Sequence, residues 1–192
     1  MTKKALFKSK FYLTSVGLMT ALVFASNYIQ TPPLLIGSDA TRFHVANGFC
    51  LLSGFLLGPV GGGFAAGVGS MLYDFTFPQF VASSPFTLVF KFSMAYLCGL
   101  IAYGGKADGR KTLQNILAAL SGNLLYIVLH LSKTYVTERV VKSMTHPVAL
   151  GIVASKGFVS LINCGIAVAV AVPLAIALRT ALDRNNLNPR KR

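Results

Sequence analysis

Apolar residues run in long blocks along this chain, and polar residues collect between them. Blocks at 11–30, 43–58, 60–77, 85–103, 112–132 and 151–178 are mostly near the roughly 17–25 residues that a helix needs to cross a bilayer. The pattern predicts an all-α fold, an integral membrane bundle of six transmembrane helices. Gly58-Pro59 divides the second block from the third and predicts a tight turn, because proline cannot continue a preceding helix without losing a hydrogen bond. The second block is short and is expected to be tilted or buried against its neighbours. With no linker, low-complexity segment or internal repeat, residues 1–192 read as a single six-span domain.

Composition strengthens this picture. The chain is 54% hydrophobic and has only five acidic residues, which excludes an ordinary water-soluble domain. Its net charge of +13 does not point to nucleic acid, since the basic residues punctuate apolar blocks instead of sharing a solvated face with aromatics. Lys3, Lys4, Lys8 and Lys10 precede the first block. Lys106, Arg110 and Lys111 lie in the 104–111 loop, and Arg179, Arg184, Arg190, Lys191 and Arg192 follow the last block. These are twelve of the 18 Lys and Arg residues, and by the positive-inside rule they place both termini in the cytoplasm. The first block is longer than the core of a secretory signal, so it is expected to be retained as a span.

Candidate chemistry lies in the polar residues that interrupt the blocks. A lysine at mid-membrane costs about 2.5–3.5 kcal/mol on insertion scales, so Lys91 should face protein, water or a bound anion. On the fifth block Asn123, Tyr126 and His130 share one helical face, and on the sixth Lys156, Ser160 and Asn163 do the same. At the expected depths, these stripes and Lys91 form an outward pocket for a small polar ligand, especially a carboxylate. The bland alternative is that each polar group bonds a neighbouring helix. Arg42, His44 and Asn47 are further candidates at the outer face. Asp39 and Arg42 could form only a surface pair, and Phe80 and Phe86 could stack on a ring.

On the first block Gly17, Ala21 and Ala25 form a small-residue ridge that lets another helix approach closely. Periodicity leaves open whether that helix belongs to this chain or to a partner. Cys50, Cys98 and Cys164 sit inside apolar blocks as packing residues, and no metal or disulfide spacing is present. Phosphate-binding and zinc-protease motifs are missing. Ser70 only loosely echoes an intramembrane nucleophile, and Asp74 gives thin support for a proton relay. No catalytic residue, cofactor or metal is expected in the chain. A self-sufficient secondary transporter and an intramembrane enzyme remain behind the leading reading.

Several residue groups carry a family resemblance. The six-span plan, Ala21-Leu-Val-Phe-Ala25, His44 to Asn47, Leu-Leu-Gly-Pro at Leu56 to Pro59 with Gly62, and Pro-Phe-Thr-Leu at Pro85 to Leu88 with Lys91 together resemble the S component of energy-coupling factor vitamin transporters. The resemblance covers nearly the whole chain. It implies a multi-pass protein of a prokaryotic plasma membrane that captures a vitamin from outside. It would then engage a transmembrane coupling subunit and two ATP-binding subunits, which use the ATP. It also implies that Ala21 and Ala25 contact the coupling subunit, and that the ligand lies near the outer face. The basic groups at Lys91, Lys156 and His130 favour pantothenate. A pyrimidine precursor of thiamine, pyridoxine, riboflavin and cobalamin remain open.

Overall fold

The structure is a computed structural model that describes residues 10–32, 34–36, 39–104 and 111–187. Helix α1 (Lys10–Ser26) is followed by two short strands, β1 (Leu34–Ile36) and β2 (Asp39–Thr41). Helix α2 (Ala46–Phe75) comes next, then the four-residue α3 (Pro78–Val81), α4 (Ser84–Ala102) and α5 (Thr112–Val136). A π-helical turn at Thr137–Val141 closes α5, and α6 (His146–Arg184) ends the described chain. Helices α2, α4, α5 with its π-turn, and α6 are long and apolar enough to cross a membrane, whereas the apolar α1 is shorter.

Helix α2 is two antiparallel arms. At Gly58 the backbone has φ 80° and ψ −172°, a conformation open essentially to glycine alone. Pro59 then starts the second arm. The reversal is plain from the cross-arm contacts, since the Ser53 hydroxyl reaches the Gly62 carbonyl at 2.9 Å and Cys50 Sγ lies 3.7 Å from Ser70 Oγ. A Cβ at Gly62 would fall 2.5 Å from Gly54 Cα, so Gly62 must be bare for the arms to touch, whereas a Cβ at Gly54 would fall 2.5 Å from the Ala95 carbonyl of the helix Ser84–Ala102.

The first arm, 46–57, is only about 18 Å long at 1.5 Å per residue, against about 30 Å of hydrocarbon. All its residues except Phe49 are buried. This is how the short second block is accommodated: protein surrounds it in place of lipid. Side chains from three other helices satisfy its terminal carbonyls. Tyr12 donates to Leu57 O at 2.9 Å, while Tyr103 and Arg179 both donate to Phe55 O. The Arg179 guanidinium also lies 5.0 Å from the Tyr103 ring centroid.

Three boundaries differ from the hydrophobic pattern. The second block's helix begins at Ala46 and not near 43, because the chain before it is held extended by a bridge between Gln30 and His44. The 31–42 connection contains an antiparallel strand pair with Leu34 opposite Thr41, adding a small β element to the otherwise helical fold. The last two helices approach each other more closely in sequence than 133–150, since α5 continues to Val136 and α6 starts at His146, with Pro147 in its first turn where the missing N–H costs nothing.

Candidate functional site

A cavity of about 200 Å³ opens at one end of the bundle. Asn27 and Gln30, just past the end of α1, line it together with Asn47 at the start of α2, Tyr73 and Asp74 at its end, and Thr87 and Lys91 of α4. Helix α5 adds Tyr126 and His130, and α6 adds Ser160 and Asn163. Arg42 and His44 reach it from the connection before α2, and Phe80 from α3. The contributing ends alternate between carboxyl and amino ends along the chain, as six rods of alternating direction require.

Lys91 is 4% exposed. Its ammonium donates to Asn47 Oδ1 and stands 4.3 Å from the Tyr126 ring centroid. Among the described residues no carboxylate pairs with it within 4 Å. The ammonium is thus held by an amide oxygen and a ring face, an arrangement that leaves it able to attract an anion. The Tyr126 ring in turn stacks on His130, with centroids 5.7 Å apart and planes at 11°. On the opposite wall Gln30 donates to the Tyr73 hydroxyl at 2.6 Å, and Arg42 lies 5.4 Å from the Phe80 centroid.

Asn163 lines the cavity, but both ends of its amide are engaged. Its Oδ1 accepts from the His44 backbone N–H at 3.1 Å, and its Nδ2 donates to the Arg42 carbonyl at 2.9 Å. It therefore clips the 42–44 segment to α6. The same clip presents His44, whose Nδ1 is shut off from solvent and has no hydrogen-bond partner. Burial, reinforced by Lys91, His130 and Arg42, pushes the His44 imidazole down to about 3, so it is neutral at physiological pH.

This has a measurable consequence. Between pH 6.5 and 3 the unfolded chain carries a proton on His44 that the folded protein does not, so the unfolded state binds more protons and stability falls as pH falls. The slope from this group is up to about 1.4 kcal/mol per pH unit, and above 6.5 it vanishes. Melting curves of the purified protein at pH 6.5 and pH 5 are expected to separate. His44→Gln should reduce that separation, and an unchanged separation would refute the neutral buried imidazole.

Of the ten residues expected at a ligand site, eight line the cavity: Arg42, His44, Asn47, Lys91, Tyr126, His130, Ser160 and Asn163. Two are corrected. Asn123 is fully buried one turn away from Tyr126, donating to Ala119 O, with its Oδ1 unpartnered outside the cavity wall. Lys156 is buried and is not among the residues that line the cavity. Helical spacing places residues on one stripe, but only the part of the stripe that meets the neighbouring ends opens onto the cavity. The pattern missed Asn27, Gln30, Tyr73, Asp74 and Thr87, which all lie at or near helix ends. Asp74, the acid closest to an apolar block's end, was the one detectable hint.

The ridge Gly17, Ala21 and Ala25 is exposed, and a Cβ at Gly17 would meet nothing within 4 Å. Helix α1 packs inward through Tyr12, Met19, Val23 and Ser26 instead. Packing against the chain's own helices is thereby excluded for the ridge. Among the described residues no group of three or more His, Cys, Asp or Glu side chains could hold a metal ion.

Residues 9–180 match a family model described as the ECF-type riboflavin transporter, S component. No curated protein matches the chain.

Proposed function

We propose, from the premise that this chain belongs to the family of ECF-type riboflavin transporter S components, that it captures an anionic vitamin at the cavity and hands it to an ATP-driven coupling module. The observation that carries this reading is Lys91, a buried ammonium in the cavity wall that no carboxylate neutralises within 4 Å among the described residues. A ligand carboxylate would supply the missing charge. Tyr126 and Phe80 would flank its apolar part, and Asn47 and Ser160 would bond its polar groups.

Pantothenate fits this chemistry best. The cavity is smaller than the roughly 300–1,000 Å³ usual for drug-sized ligands, which suits a compact open-chain acid. Riboflavin is the second reading, favoured by the family's description and by the aromatic residues Tyr73, Phe80 and Tyr126 in the wall. Mass spectrometry of small molecules released from the purified protein separates the two. Pantothenate or another carboxylate vitamin supports the first reading and riboflavin the second. A purely cationic ligand would overturn the role given to Lys91.

The partners are a transmembrane coupling subunit, seated on the open ridge of α1, and two ATP-binding subunits. ATP is used there, since this chain has no phosphate-binding motif and no enzymatic role. The protein lies in a prokaryotic plasma membrane with the cavity outward and both termini in the cytoplasm. With the native cysteines removed, a cysteine at Lys111 should react with an impermeant thiol reagent only from the cytoplasmic side, and one at Ser143 only from outside. The reverse pattern would invert the orientation and place the cavity on the wrong face for uptake.

A further inference from the structure

The basic side of the cavity is matched by one acid. Among the described residues, Asp74 is the only acid in the cavity wall, 9% exposed and located in the last turn of α2. That is a poor place for a structural carboxylate, because the carbonyl end of a helix already carries negative potential. Nor is Asp74 held as half of an ion pair, since among the described residues neither Lys91 nor Lys133 comes within 4 Å of it. Thr87 is the hydroxyl beside it. A carboxylate has about four acceptor positions, so one threonine leaves most of them to whatever occupies the cavity.

We propose that Asp74 is a specificity-determining residue that accepts a hydrogen bond from a hydroxyl or N–H of the ligand. The substrate class is then a small molecule with an anionic group at one end and a donor at the other. This rests on the reading of the cavity as the vitamin site and narrows what that site takes. The spacing follows from α4. Thr87, beside the carboxylate, and Lys91 are four residues apart on one helical face, so the two poles differ in depth by about 6 Å, one turn. A ligand whose donor sits several bonds from its anion spans that distance. A plain monocarboxylate would leave Asp74 desolvated and unpaired, and the site rejects it for that reason.

The competing role for Asp74 is a distant counter-ion that merely softens the field of Lys91, and the two roles differ in sign. For the test, the purified full chain is incubated with an equimolar mixture of pantothenate, riboflavin, pyridoxine and thiamine, and the retained vitamin is quantified by mass spectrometry. Its Kd is then measured in wild type, Lys91→Met and Asp74→Asn. Asp74→Asn is expected to weaken binding at least tenfold, because the amide Oδ1 still accepts but the charge that strengthens the hydrogen bond is gone. Unchanged or tighter binding in Asp74→Asn, alongside weaker binding in Lys91→Met, would overturn the role of Asp74 and leave the anion site standing. No vitamin retained by wild type, or full retention by Lys91→Met, would instead overturn the reading of the cavity itself. Melting curves establish that each variant is folded. If Asp74→Asn does not fold, Asp74→Ser, smaller and equally neutral, gives the same comparison.

Discussion

Lys91→Met is expected to weaken binding of an anionic vitamin by more than tenfold while the protein stays folded. Methionine keeps most of the apolar stem and removes the ammonium. Truncating one partner of a buried charged pair costs about 2–5 kcal/mol, and each tenfold in affinity is about 1.4 kcal/mol. Part of the loss is Asn47, whose Oδ1 is left without its donor. An uncharged analogue, such as the alcohol counterpart of pantothenate, separates the terms. It should bind wild type weakly, and the further loss on mutation should be small, because both changes remove one interaction. Additive losses would mark Lys91 as a structural lysine. Lys111→Met, exposed near the opposite end of the bundle, is the appropriate control. Lys142 is not, since it pairs at 2.8 Å with Glu138, which is 1% exposed.

The second large effect concerns transport without binding. Ala21→Trp or Ala25→Trp places an indole on the open face of α1, where it blocks close helix approach but touches none of the packing residues Tyr12, Met19 and Val23. Uptake by cells carrying the whole transporter should fall by an order of magnitude or more, while the purified variants keep their affinity. Equal loss of affinity would show that the ridge supports the cavity and not a partner.

The two mutations probe features that were legible to different degrees. Lys91 stands out in any reading because an isolated charge in an apolar block must be explained. The ridge was visible as a four-residue repeat, yet its direction was not, because periodicity gives a face without saying what the face meets. Asn123 and Lys156 stand off the cavity for the same physical reason. Each lies on the expected stripe, but the rotation and tilt of α5 and α6 against their neighbours decide which part of that stripe reaches the cavity. Gln30, Tyr73 and Thr87 were missed because polar residues near a helix end are ordinarily explained by capping or by the water interface. Their convergence depends on the reversal at Gly58, which brings the end of α2 back beside its beginning. The strand pair after α1 left no alternating pattern long enough to recognise.

That reversal also dictates an order of events during synthesis. The first arm of α2 is too short to enter a bilayer as a span of its own, so the Gly58 hairpin must insert as one unit. Its Phe55 carbonyl then waits for Tyr103, made 48 residues later, and for Arg179, made 124 residues later. Until α6 has been synthesised and docked, the Phe55 carbonyl has Tyr103 as its side-chain donor and lacks the arginine. The innermost helix of the bundle is thus among the first to be translated and the last to be completed. A truncation before Arg179 should be recognised by membrane quality control even though five of the six rods are whole.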